Sequence, residues 1–354
     1  MNSTVKTSMK EFVFAILVLL FLSCNNSTGK PDVSDIKVNV KIERFDQAFF
    51  SLDTNNLASS LNDLNKKYPA FLSLYSEFLS PINFMVHQQG KSFEDAVRIY
   101  LRNIKPLYDE VQKQYSNLED VQKHLQKDLK YVKHYFPSYK VPVVMASVEN
   151  LNPEEPQEIY GTALYHDTLI ISLQMFLGKD FAAYDPSQYP DYLRRRFVSS
   201  FIVPNCVRVI ANDIHPDTSE SNSLIETMIE RGKQWFLMKR FMPGEPDSLI
   251  TGYTKNQMEF VEKNEGNIWS EFLKDTPDPY TLDQERFKNY IGEAPFTQDM
   301  PHDLQGGGTP GNIGQWMGWR IVEKFASENS KMSVQEIVSI SARQMFQQAK
   351  YKPK

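Results

Sequence analysis

Apolar side chains recur along this chain with two different periods, and the changes of period mark its elements. Residues 37–43 (KVNVKIE) alternate, with Val38, Val40 and Ile42 sharing one side, which predicts a half-buried strand. From Phe45 to Phe136 the repeat becomes helical. Ser92-Phe93-Glu94-Asp95 and Ser116-Asn117-Leu118-Glu119 carry the capping-box pattern, in which a side-chain oxygen takes an orphan amide at a helix start. After the second box Val121, Leu125, Leu129, Val132 and Phe136 keep helical spacing until Pro137 ends the run.

Three short apolar runs follow, at residues 141–148, 159–165 and 169–173, and read as strands. His166-Asp167 between the last two predicts a tight hairpin turn. The chain then returns to helical spacing. Residues 192–212 predict one helix kinked at Pro204, which cannot donate an internal hydrogen bond. Ser223 and Glu226 open another helix, with Ile225, Met228, Ile229, Trp235 and Phe236 on one face; further helices are expected over 255–273, 283–290, 314–326 and 333–349. Long helices around a short mixed or antiparallel sheet predict an α+β fold, mostly helical, with residues 36–354 as a single domain.

The start of the chain has a different grammar. Lys6 and Lys10 precede an unbroken apolar run at residues 12–22, followed by Ser23 and Cys24. Such a run is shorter than the roughly 20 residues a membrane-spanning helix needs. It matches an export signal, residues 1–23, removed on maturation. A thiol directly after Leu22-Ser23 resembles the lipobox of bacterial lipoproteins, with Phe21 where the pattern usually has Leu. Cys24 is then expected to carry lipid and hold the protein to a membrane. Residues 24–35 are polar and turn-rich, suited to a flexible tether. No acidic run of the kind associated with surface display follows Cys24, so a periplasm-facing place in the outer membrane is expected.

Composition narrows function mainly by exclusion. The formal charge of −5 gives no footprint for nucleic acid, which requires a clustered basic face. Arg194-Arg195-Arg196 is explained by a solvated helix face. With Cys24 lipidated, Cys206 is the one remaining thiol, so no intrachain disulfide can form, and its apolar neighbours predict a buried small hydrophobe. No cofactor is expected.

Catalytic patterns are missing. The six histidines are His87, His124, His134, His166, His215 and His302, and no two are four apart, so the His-Glu-x-x-His helix of zinc peptidases is not present. No Gly-x-Ser-x-Gly elbow occurs. Gly306-Gly307-Gly308-Thr309-Pro310-Gly311 lacks the Gly-Lys-Ser/Thr ending of a phosphate loop and reads as a loop. Glu226 and Glu230 form an acidic i,i+4 pair of the kind common on solvated helices, with Lys233 placed to offset Glu230. Gly232 stands inside a helix, where it costs about 1 kcal/mol relative to Ala, and so predicts close approach of another backbone. Gly311, Gly314 and Gly318, beside Trp316 and Trp319 and following Pro310, predict a second closely packed face.

Residues 223–236 (SLIETMIERGKQWF) and 309–322 (TPGNIGQWMGWRIV) resemble the gliding motility lipoprotein GldB family of Bacteroidetes. Ile42-Glu43-Arg44-Phe45-Asp46, Tyr68-Pro69-Ala70-Phe71, residues 173–180 and 253–269, and Ala294-Pro295-Phe296 agree in the same order. That family is in turn similar to predicted zinc peptidases, with Glu230 and Gly232 resembling a ligand segment and residues 310–318 a following motif. The resemblance implies a zincin-like fold with a degenerate, inactive site. The missing histidine helix would fall over residues 198–212, whose polar groups Asn205, Arg208 and Asn212 are poor zinc ligands. Glu230 is accordingly expected to pair with an arginine or face solvent. The implied function is a non-catalytic envelope component of the gliding machinery, linked to the secretion of its adhesins and partnered by other gliding and secretion proteins. The alternatives are a periplasmic hydrolase with an unrecognised site, or a lipoprotein that binds a peptide or small ligand in the remnant cleft formed by Glu230, Gly232, Asn205 and Arg208.

Overall fold

A computed structural model describes residues 30–151, 161–216, 221–302 and 308–354. The expected lipidation site Cys24, the start of the 159–165 strand and part of the glycine-rich loop lie outside the described residues. The chain divides into two units, residues 1–35 and 36–354, and every described helix and strand lies in the second.

Alternation over 37–43 is kept in burial, with Val40 and Ile42 inside and Asn39 and Lys41 outside, but strand pairing is confined to β1 (Ile42–Arg44). Ahead of it the backbone finds other partners. The amides of Val40 and Ile42 donate to Gln126 Oε1 at 3.2 Å and Gln122 Oε1 at 3.0 Å, so glutamines of a neighbouring helix cover this sheet edge.

The helical run resolves into α1 (Phe45–Phe50), α2 (Leu57–Lys67), α3 (Pro69–Leu74), a π-helical turn (Tyr75–Leu79), α4 (Ile82–Gln89), α5 (Phe93–Gln114) and α6 (Glu119–Tyr135). Ser92 caps α5 by accepting the Asp95 amide at 3.1 Å. The second capping box is not formed: Leu118 occupies the N-cap of α6, and Asn117 Oδ1 rather than Ser116 accepts the Glu119 amide. Arg44 and Gln47 both donate to the Ser116 carbonyl, which fixes that residue outside the helix.

The sheet is completed by β2 (Val143–Ser147), β3 (Thr162–Tyr165) and β4 (Thr168–Ser172), in the order β1-β2-β4-β3. β1, β2 and β4 are parallel; β3 returns antiparallel to β4 through the predicted hairpin. His166 in that turn adopts φ +52°. Successive residues of β2 and β4 enter opposite cores. Val144, Ala146, Leu169 and Ile171 face one, while Met145 and Ile170 face the other. Burial on both sides explains why these strands are continuously apolar instead of alternating. One core is aromatic, built from Phe45, Phe49, Phe71, Tyr75 and Tyr100 of the first helices. The other, larger core belongs mainly to the helices that follow the sheet.

Those helices are α7 (Asp191–Arg194), α8 (Ile202–Ile214), α9 (Leu224–Phe241), α10 (Asp247–Thr251), α11 (Lys255–Lys263), α12 (Glu265–Asp275), α13 (Gln284–Ile291), α14 (Ile313–Glu328), α15 (Val334–Ser339) and α16 (Ala342–Ala349). The kinked helix expected over 192–212 is instead two helices joined by a 3-10 turn at Ser199–Phe201. Pro204 falls in the first turn of α8, where no intrahelical partner awaits its missing amide, so it bends nothing. The runs at 255–273 and 333–349 each divide in two, at Asn264 and at Ile340-Ser341. At α9 the Ser223–Glu226 capping box forms as expected.

Candidate functional site

The two glycine-bearing segments meet. α9 crosses α14 with Gly232 against Gly318: a Cβ on Gly232 would lie 2.3 Å from the Gly318 carbonyl carbon, and one on Gly318 would lie 1.7 Å from the Met228 carbonyl oxygen. No side chain fits in either place. Gly314 faces Tyr290 and Met228, and Gly311 meets the Ala294 backbone before α14 begins. Pro310 accepts the Thr297 hydroxyl at 2.7 Å, and the buried Tyr253 hydroxyl lies 3.2 Å from the carbonyls of Gly311 and Asn312. Trp316 is buried, and Trp319 packs edge-on against Trp235 while donating to Glu323 at 3.2 Å. Arg240 holds the same Glu323 with two hydrogen bonds of 3.0 Å. The signature residues thus form a tight structural junction.

Glu230 lies on α9 near this crossing. Neither an arginine nor solvent satisfies it. His215, at the end of α8, brings Nε2 to 2.6 Å from Glu230 Oε2, and Lys233 Nζ donates to both carboxylate oxygens at 2.9 and 3.0 Å. The Lys233 side chain is 2% exposed and also donates to the Ile340 carbonyl at 2.7 Å, tying α9 to the link between α15 and α16. Burial alone would raise the Glu230 carboxyl, but the His215 hydrogen bond and the Lys233 charge outweigh it and hold it below the usual carboxylate range. The same burial draws the Lys233 ammonium down, against the pull of Glu230. Glu226 is withdrawn from water too and pairs with Arg343 at 2.7 Å, so the two glutamates are not the solvated pair their spacing suggested.

Asn205 is buried and Arg208 half-buried on α8. Continuing their stripe through Asn212 leads to His215, the residue that the sequence pattern left unassigned and that reaches Glu230. The step beyond the helix end is the one signal that could have found it. Zinc requires three or four imidazole, thiolate or carboxylate donors. His215 and Glu230 supply two, and the Lys233 ammonium sits against both carboxylate oxygens, so these residues do not fit the metal that the peptidase resemblance implies. Among the described residues no group of three His, Cys, Asp or Glu is placed to hold a metal ion. What the arrangement does chemically is hold three elements together through one charge network.

Elsewhere, Cys206 is fully buried in α8, where burial pushes its thiol up to about 12. An open groove of about 940 Å³ runs beside Phe296, Asp299, His302 and Thr309. No described helix is long and apolar enough to cross a membrane.

No curated protein and no solved structure matches the chain. The family model described as gliding motility protein GldB, and labelled as a lipoprotein family, matches residues 26–353; the chain belongs to that family.

Proposed function

From that membership we propose that this protein is a non-catalytic lipoprotein of the gliding motility machinery, held in the cell envelope by lipid on Cys24 and linked to the secretion of the machinery's adhesins. The observation that supports the non-catalytic reading is the closure of the Glu230 group. Its carboxylate is neutralised by Lys233 and engaged by His215, leaving no pair of free donors among the described residues of this group for a metal-activated water. Its place is the periplasmic face of the outer membrane, and its partners are other envelope proteins of the gliding and secretion machinery, with no nucleic acid and no cofactor.

The test is zinc quantification on the purified chain together with a broad peptidase screen. Substoichiometric zinc and no cleavage are expected. Stoichiometric zinc that a chelator removes, with loss of a measured hydrolytic activity, would overturn the reading. Crosslinking in cells followed by co-purification should recover envelope proteins of the gliding and secretion machinery. Radiolabelled palmitate should enter the wild type and not the Cys24→Ala variant; failure to label the wild type removes the anchor from the proposal.

A further inference from the structure

The parallel strands β2 and β4 end side by side, with Ser147 in register with Ser172. Just beyond them the chain places Glu149 and Gln174. In open sheets of parallel strands, ligands bind outside the carboxyl ends of the strands. A cavity of about 190 Å³ opens at this point, its lining including Glu149, Asn150, Gln174 and Met175 together with Phe78, Ser80 and Pro81. Phe78 belongs to the π-helical turn Tyr75–Leu79, a rare backbone form that recurs at functional sites.

The polar groups of this cavity do not balance internally. Glu149 is 6% exposed; one of its oxygens accepts the Ser147 hydroxyl and the other accepts Gln174 Nε2 at 2.7 Å. That second bond orients the Gln174 amide and leaves its Oε1 buried without a hydrogen-bond partner. Asn150 Oδ1 is in the same condition. The described residues that line the cavity include no Lys, Arg or His. Burial raises the Glu149 carboxyl above its usual range, and the neutral hydrogen bonds it receives only partly offset this. The lining residues therefore carry three acceptors, one carboxylate and two amide carbonyls, beside the hydroxyls of Ser80 and Ser172, of which Ser80 Oγ is also buried without a partner. A primary ammonium is the complementary group, with three donors and no acceptor. Phe78, Pro81 and Met175 add apolar surface beside them. The volume is below the roughly 300–1,000 Å³ of sites for drug-sized ligands, which suits a small molecule or the tip of a chain.

We propose that this cavity binds a primary ammonium on a short apolar stem, with the ammonium on Glu149, Gln174 and Asn150 and the stem against Phe78, Pro81 and Met175. The inference stands apart from the gliding role and from the Glu230 group.

Ligand-observed NMR on the purified full chain tests it, with n-butylammonium as probe, n-butanol as its neutral counterpart, Nα-acetyl-lysine amide as a chain-borne amine, and potassium chloride as a competitor. Saturable n-butylammonium binding is expected, at least about tenfold tighter than n-butanol, as hydrogen bonds to a charged group require. Glu149→Gln should abolish that preference with the circular dichroism spectrum unchanged. Phe78 is 64% exposed, so Phe78→Ala should fold normally and still weaken binding severalfold, which reads the site even if the Glu149 variant fails to fold. Competition by Nα-acetyl-lysine amide would support a lysine side chain as the source, and its failure beside a binding n-butylammonium would support a free amine. Equal affinity for the alcohol, no saturable n-butylammonium binding, or displacement by equimolar potassium would overturn the proposal.

Discussion

Glu230 and Glu149 are both withdrawn from water, and the chain treats them in opposite ways. Glu230 receives a lysine and a histidine, and its carboxyl is held below the usual range. Glu149 receives a serine and a glutamine, both neutral, and burial raises it. Burying a charge is costly unless it is paired and hydrogen-bonded. Around Glu230 the fold meets that cost from its own residues, and the result is a closed structural joint beside the α9–α14 crossing. Around Glu149 it does not, and two amide oxygens stand unpaired beside it. A residue's burial alone therefore says little about function. What separates a joint from a binding site is whether the chain completes the electrostatics itself.

The strongest way to break the first region is through its glycines. Gly318→Leu must displace the α9 backbone, because even its Cβ would lie 1.7 Å from the Met228 carbonyl oxygen. Destabilisation at or above the upper end of the ~1–3 kcal/mol typical of overpacking is expected. A thermal melt checks this, and an unchanged midpoint would mean that the crossing is looser than described.

Next in size is Lys233→Met, which leaves the Glu230 carboxylate with His215 alone. Breaking a buried pair by removing one partner costs about 3–5 kcal/mol. The lower end is expected here, because the Glu230 side chain keeps 12% of its exposure. Urea unfolding at neutral pH measures it. Adding Glu230→Leu to the same chain should restore much of the loss; no recovery would mean that the lysine acts mainly through its bond to Ile340.

Acid titration sharpens the contrast between the two carboxylates. Glu230 is lowered from 4.5, so below that value the unfolded chain takes up a proton before the native one does. Its contribution is present above 4.5 and is lost as pH falls through the native value. Glu149 is raised from 4.5, so the native chain keeps its proton longer. Its contribution is present below 4.5 and is lost as pH rises through the native value. Unfolding midpoints of Glu230→Gln should therefore fall less steeply than wild type on acidification below pH 4.5, while those of Glu149→Gln should gain on wild type as pH rises above it. Parallel curves for both variants would erase the distinction. The smallest effect belongs to Phe78→Ala, whose stability should stay within about 0.5 kcal/mol of wild type because the ring lies at an exposed rim. A larger loss in urea unfolding would make the rim part of the core.

Local signals in the sequence were reliable where the physics is local. A glycine in mid-helix predicted a close crossing, and Gly232 does meet Gly318. The three-residue spacing placed Lys233 to offset Glu230, and the two do pair, whereas the expectation of an arginine or solvent partner drawn from the motif resemblance was not met. The Ser223 box and the His166-Asp167 hairpin depend on a few adjacent residues and formed as read. Local signals failed where a distant partner intervened. Ser116 lost its capping role because Arg44 and Gln47 hold its carbonyl from the start of the fold.

By itself the sequence determined the α+β class, the order of its elements, the glycine faces and the family to which the chain belongs. The first three follow from periodicity, capping and backbone sterics, which act over a few residues; the family follows from the ordered set of segments that resemble it and from the family match over residues 26–353. Only the tertiary structure decided that His215 closes the Glu230 group, that Lys233 is buried, and that Glu149, Gln174 and the π-helical turn surround one cavity. Those depend on loops and strand ends bringing residues far apart in sequence within hydrogen-bond reach. The pattern of apolar positions sets which faces go inside, but it does not say which polar group each buried charge will find there.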